Sequence, residues 1–138
     1  MTGRWRERLK RWAPPVGFML LIFILSSFRL GTPRVGRFTH ADKIAHAVEY
    51  ATLTFLLYRA MKESHWPWLC QWAPLAALAV AAIYGATDEV HQHFTGRDMD
   101  LVDWLADVFG AACTATVLMA WHHSHADPRR DYPPEKWQ

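Results

Sequence analysis

The sequence predicts an all-α protein, a four-transmembrane-helix bundle with both termini cytoplasmic. Three observations lead there. Four stretches at residues 12–30, 42–61, 68–87 and 101–121 are dominated by apolar residues, and about 17–25 such residues suffice for a helix to cross a bilayer. Shorter segments rich in Gly, Pro and charge separate them, at 29–41, 62–67 and 93–100. Four spans return the chain to the side on which it began. Ten of the fifteen Lys and Arg residues then fall on that side, which the positive-inside rule makes cytoplasmic. The organisation is therefore a basic arm at 1–13, one membrane domain at 14–121 and a polar tail at 122–138.

The arm carries Arg4, Arg6, Arg8, Lys10 and Arg11 interleaved with Trp5 and Trp12, a pairing of cations and indoles that suits a membrane surface. Pro14 and Pro15 stand where a helix can begin. A basic segment before an apolar one also describes a signal peptide, but Ser26-Ser27-Phe28-Arg29 lacks an Ala-x-Ala ending. The first stretch is read as an uncleaved span. Gly31, Pro33 and Gly36 mark the loop after it.

Asp42 is placed to cap the second helix. Lys43, His46 and Tyr50 share one face of that helix, with Glu49 beside them. A span with so many polar groups in its first turns must turn that face into a bundle or toward water. Trp66 and Trp68 mark an interface, and the third span is rich in Ala and Leu, small enough in places for close helix approach. Pro74 is expected to kink it. Cys70 and Cys113 lie in or beside apolar runs and read as free thiols rather than a disulfide. In the tail, His122, His123 and His125 are a metal-binding pattern that more often is simply solvated.

Chemistry concentrates between residues 84 and 110. Asp88, Glu89, His91, Gln92, Arg97, Asp100, Asp103 and Asp107 lie there, between two apolar runs. Ionisable groups are costly in or beside a bilayer, so such a cluster marks a site. Four alternating spans also bring the polar start of the second helix to the same mouth of the bundle. The catalytic candidates are His46, Glu49, Asp88, Glu89, His91 and Asp103. Lys43, Tyr50, Gln92, Arg97 and Asp107 are ligand-binding candidates, with Arg37 at the rim. His46, Asp88, His91 and Asp103 are suitable ligand types for a divalent metal ion, although no His-Glu-x-x-His string is present.

Several roles remain open to these residues: a salt-bridge network that only holds the bundle, a metal site, acid–base or phosphate chemistry, or binding of a polar head group or peptide without turnover. Trp104 reads as an interface anchor, and Glu49 as a hydrogen-bond partner for Tyr84 or a serine. Ser26 and Ser27 have no elbow motif around them to mark a nucleophile. The net charge of +2 gives no reason to expect nucleic acid as a partner.

The chain resembles the VanZ-like family of small bacterial membrane proteins. The matching pieces are Asp42-Lys43-Ile44-Ala45-His46 with Glu49-Tyr50, then Asp88 to Phe94, Gly96-Arg97, and Asp103 to Gly110; the Ser26-Ser27 ending of the first span is also similar. The resemblance covers roughly residues 16–121. It departs at Asp107, where the family usually has Asn; an added carboxylate there would attract a cation or hold a proton.

The resemblance implies a multi-pass protein of the bacterial inner (cytoplasmic) membrane. It further implies an envelope role linked to the glycopeptide antibiotic teicoplanin. The expected partners are membrane lipid and a lipid-linked envelope precursor or glycopeptide, met by an external polar pocket. A membrane hydrolase acting on a phosphate or ester, with or without metal, is the alternative, and a purely structural membrane protein is another. Shared family does not fix function.

Overall fold

The computed structural model describes residues 2–27, 40–95 and 100–124, all of them in helices or the short turns that join them. Residues 29–39 of the predicted first loop and 96–99 of the predicted 93–100 turn, with Arg37 and Arg97, lie outside the described residues, as does the tail beyond Ser124; His40 and Ala41, and His93 and Phe94, are helical instead of loop. Five helices follow in order: α1 Thr2–Ser27, α2 His40–Lys62, α3 Pro67–Gln71, α4 Ala73–Phe94 and α5 Leu101–Ser124.

The first helix does not start at its prolines. α1 runs through Pro14 and Pro15 without interruption, so the arm and the span are one rod. Proline's fixed φ is compatible with a helix, but each ring lacks an N–H and crowds the carbonyl four residues back, at a cost of about 3 kcal/mol. A packed face compensates: Pro15, Ile22 and Ser26 are buried on it, and Trp12, Phe18 and Met19 pack on the core beside them.

α2 begins at His40, which puts Asp42 inside its first turn rather than at a cap. This helix is the centre of the bundle, touching every other helix and meeting α5 most extensively. Tyr50, Leu53, Thr54, Leu57, Tyr58 and Met61 form its buried stripe at the i, i+3, i+4, i+7 spacing of a packed helical face. Between the second and fourth predicted spans the chain breaks at Trp72, where α3 ends and α4 begins with Pro74 in its first turn. The expected kink is thus a break two residues before the proline, because Pro74 is accommodated where its missing N–H costs nothing.

α4 and α5 share one design. Along α4, Ala73, Ala77, Ala81 and Gly85 are buried in sequence, and the same stripe ends in Asp88, Glu89 and Gln92. Along α5 it runs from Asp103 and Asp107 through Gly110, Ala111 and Ala115 to Leu118. Small residues bring the backbones together. A Cβ added to Gly110 would run into the Ala47 carbonyl of α2, so this crossing requires glycine. The opposite faces of α4 and α5 carry large exposed apolar side chains, including Ile83, Phe94, Leu101, Phe109 and Val117, as α1 does at Leu20. A contiguous apolar exterior marks contact with lipid or another apolar partner.

Among the described residues three helices are long and apolar enough to cross a membrane: Trp5–Ser27, Ala73–Phe94 and Leu101–Trp121. Such helices make this a membrane-embedded protein. α2 does not join them, because Asp42, Lys43, Glu49, Arg59 and Lys62 interrupt its apolar run. The expected count of four is therefore not carried by composition. Both cysteines are free, as expected, though neither is fully buried and Cys113 is exposed.

Candidate functional site

The carboxylates at the ends of the α4 and α5 stripes face the C-terminal end of α1 and the N-terminal end of α2. Groups separated by some sixty residues touch there. Ser26 Oγ donates to Asp88 Oδ1 at 2.6 Å. Lys43 Nζ donates to Asp103 Oδ1 at 2.7 Å and lies 3.5 Å from Asp100 Oδ2. His46 Nδ1 meets Asp107 Oδ1 at 2.9 Å.

Each pairing follows from its helix. Asp100 stands just before α5 and accepts from the Val102 N–H at 2.8 Å, which leaves its own N–H to donate to Glu89 Oε2 at 3.0 Å. This cap satisfies an orphan amide at the helix start and ties the end of α4 to the start of α5. Asp103 and Asp107, one turn apart, then face Lys43 and His46, which are themselves nearly one turn apart on α2.

The Ala47–Gly110 approach sets the two helices close enough for both bridges. Asp107 is 1 % exposed as a side chain would be in a protein core, and its second oxygen lies near Gly85 and Tyr50. Trp104 anchors α5 to α4 through Nε1–H to the Ala82 carbonyl at 3.1 Å.

The α1 side of the cluster is a second set. Asp88 accepts from Ser26 and, at Oδ2, from Gln92 Nε2 at 2.8 Å. Ser27 Oγ is 2.9 Å from His91 Nε2, and the imidazole stacks on Phe23 with 4.1 Å between ring centroids. Ser27 also reaches the Phe23 carbonyl at 2.6 Å, the back-bonding common for a serine inside a helix. Glu49 lies between the two sets, close enough to Asp88, Asp107 and His46 to feel their charge. Of the two partners expected for Glu49, Tyr84 or a serine, the Tyr84 hydroxyl donates instead to the Met19 carbonyl at 2.6 Å and pins α4 to α1.

Of the three buried side-chain polar atoms without a hydrogen-bond partner among the described residues, two lie in this cluster: Glu89 Oε1 and the Tyr50 hydroxyl. Tyr50 is wholly buried and Glu89 is 4 % exposed. A buried polar atom left unpaired costs about 1–3 kcal/mol, and such an atom in a site is one that a ligand or water can satisfy.

Most of the candidates thus lie at one mouth of the bundle, held there in pairs. His46, Asp88, His91 and Asp103 do not converge as metal ligands: each is held by a different neighbour, Asp107, Ser26, Ser27 and Lys43 respectively. Among the described residues no group of three or more His, Cys, Asp or Glu is arranged to hold a metal ion. Lys43 is engaged by two carboxylates rather than presented to an anion. Arg97 and Arg37 lie outside the described residues. Ser26 and Ser27 have partners on α4, Asp88 and His91, that nothing near them in the chain announces.

A family model described as VanZ/LLP1 matches residues 5–122, most of the chain. No curated protein and no solved structure matches it. The chain belongs to the VanZ/LLP1 family.

Proposed function

We propose that this VanZ/LLP1 protein crosses the bacterial cytoplasmic membrane four times, with both termini in the cytoplasm, and binds an envelope ligand at its outer polar mouth. α2 is the fourth span in this reading, its polar turns screened by α4 and α5. The ligand is a lipid-linked envelope precursor or a glycopeptide, recognised through hydroxyl or amine donors, because the mouth is rich in carboxylates and its lysine is already paired. The observation that supports this is the pair of buried, unpartnered atoms, Glu89 Oε1 and the Tyr50 hydroxyl, which a donor-bearing ligand would satisfy.

The test is a titration of the full chain in lipid nanodiscs with a lipid-linked peptidoglycan precursor and, separately, with teicoplanin. Saturable binding of either by the wild type, weakened about tenfold in Glu89→Ala as expected for a lost charged hydrogen bond, supports the reading. No binding of either, or equal binding by a folded Glu89→Ala, sinks it.

A second reading, hydrolysis of an ester or phosphate, is favoured by the 2.9 Å approach of Ser27 Oγ to His91 Nε2. In it the serine oxygen attacks the substrate while its proton passes to the imidazole, which returns it to the leaving oxygen; water then cleaves the serine ester, its proton passing through the same imidazole back to Ser27. Labelling of Ser27 by a fluorophosphonate, absent in His91→Ala, is the result this reading requires. A third reading leaves the ion pairs purely structural; it gains ground if the wild type binds and cleaves nothing while every carboxylate variant unfolds.

A further inference from the structure

At the end of the bundle away from the carboxylates, the early turns of α1 lie against the turn between α2 and α3. Together they border a half-open pocket of about 210 Å³. Its lining includes Arg8, Arg11, Trp12, His65, Trp66 and Leu69. Drug-sized ligands occupy ~300–1,000 Å³, so this space suits a head group rather than a whole molecule of that size.

The chemistry of the wall is that of an anion site. Two arginines, Arg8 and Arg11, line it, and guanidinium is the group best matched to phosphate oxygens. Arg11 Nε–H is buried and makes no hydrogen bond, although Glu63 Oε2 lies 3.4 Å away. A buried donor of this kind is completed by an incoming oxygen.

The surroundings are those of a membrane interface. Trp5, Trp66, Trp68 and Trp72 are all exposed at this end, and Trp66 stacks on Trp68 at 6.0 Å between centroids. Exposed indoles gather at the level of lipid head groups. Leu69 and Trp12 supply an apolar floor beside the arginines.

We propose that this cavity binds the phosphate of an anionic phospholipid, with Arg8 and Arg11 on the phosphate oxygens and Trp12 and Trp66 against the glycerol and upper acyl chain. The bound lipid then fixes the α1 arm to the α2–α3 turn. This site is separate from the polar mouth and stands whether or not that mouth binds a ligand.

The experiment is native mass spectrometry of the full chain released from detergent, titrated with phosphatidylglycerol, with phosphatidylcholine and with inorganic phosphate. The variants are Arg8→Gln, Arg8→Gln/Arg11→Gln and Arg6→Gln. Arg6 is exposed and does not line the cavity, so Arg6→Gln makes the same change in charge as Arg8→Gln without touching the site.

Phosphatidylglycerol should bind in preference to phosphatidylcholine, and the double variant should lose about tenfold or more in affinity, the worth of a charged hydrogen bond. Arg8→Gln alone, at an exposed position that leaves folding intact, should lose at least about threefold, and Arg6→Gln less than about twofold. Equal losses in Arg6→Gln and Arg8→Gln, or no preference for the anionic lipid, overturn the proposal. Displacement of the lipid by inorganic phosphate at equal concentration would assign the cavity to a free anion and overturn the lipid as its occupant.

Discussion

Replacing Gly110 by Ala should destabilise this protein more than the same change at either of two other helical glycines. A methyl group at Gly110 would enter the space of the Ala47 carbonyl, carbonyl carbon and Cα, all within 3 Å of it. Those are backbone atoms of a neighbouring helix, so no side chain can turn aside. Overpacking typically costs about 1–3 kcal/mol, and a backbone obstacle puts this site at the upper end or beyond.

At Gly85 the methyl group would meet Asp107 Oδ2 and Tyr50 at 3.2 Å and Trp104 at 3.4 Å, side-chain atoms that give by a few tenths of an ångström; about 1 kcal/mol is expected. At Gly17 it would meet nothing within 4 Å, and Ala in a helix interior is favoured over Gly by roughly 0.5–1 kcal/mol. Thermal unfolding of the three variants in one detergent should therefore rank Gly110→Ala least stable, Gly85→Ala next and Gly17→Ala equal to or above wild type. Equal melting of Gly110→Ala and Gly17→Ala would refute the close α2–α5 crossing, and with it the placement of Lys43 and His46 against the α5 carboxylates.

The remaining expectations concern the polar mouth and the topology. Ser26→Ala removes one of two donors from buried Asp88 and should cost about 1–3 kcal/mol in unfolding free energy, whereas Ser124→Ala, exposed at the other end, should cost nothing measurable. Asp107→Asn keeps an acceptor for His46 Nδ1–H and should stay near wild-type stability, while Asp107→Ala should lose about 1–3 kcal/mol; equal effects of the two would remove the hydrogen bond from the account. A double-mutant cycle of Lys43→Ala with Asp103→Ala should give a coupling of about 0.5–3 kcal/mol, and a coupling of zero would mean the 2.7 Å contact is not maintained in the bilayer. A green fluorescent protein fused after Gln138 should fluoresce and an alkaline phosphatase fused there should be inactive; the reverse pattern would place the C-terminus outside.

Much of this architecture is readable in the chain because two signals coincide on one helical face. In α4 and α5 the residues that pack closely, Ala73 to Gly85 and Gly110 to Ala115, sit on the face that ends in carboxylates. The period of 3.6 alone then says that the acids point inward. The Lys43–Asp103 and His46–Asp107 pairs follow once the spans alternate.

What stayed hidden was of another kind. Ser26 and Ser27 look like helix-end serines that bond their own backbone, and Ser27 does so. Their second partners, Asp88 and His91, are reachable only through the tertiary fold. The break at Trp72 was displaced from Pro74 because a proline near a helix start costs little, and the arm merged with its span because packing on Pro15 and Ile22 outweighed the two lost hydrogen bonds. α2 failed the apolar test partly for the reason that makes it central: two of its charged residues, Lys43 and Lys62, reach Asp103 and Trp121 of α5.

The meeting of distant polar groups at one mouth is tested most directly by cross-linking in native membranes. In a chain with Cys70→Ser and Cys113→Ser, the pair Lys43→Cys with Asp103→Cys should be joined by a short bifunctional thiol reagent. The pair Lys43→Cys with Trp121→Cys, at opposite ends of the bundle, should not. Efficient joining of the first pair alone is the predicted result; failure of the first pair, or equal joining of both, would contradict it.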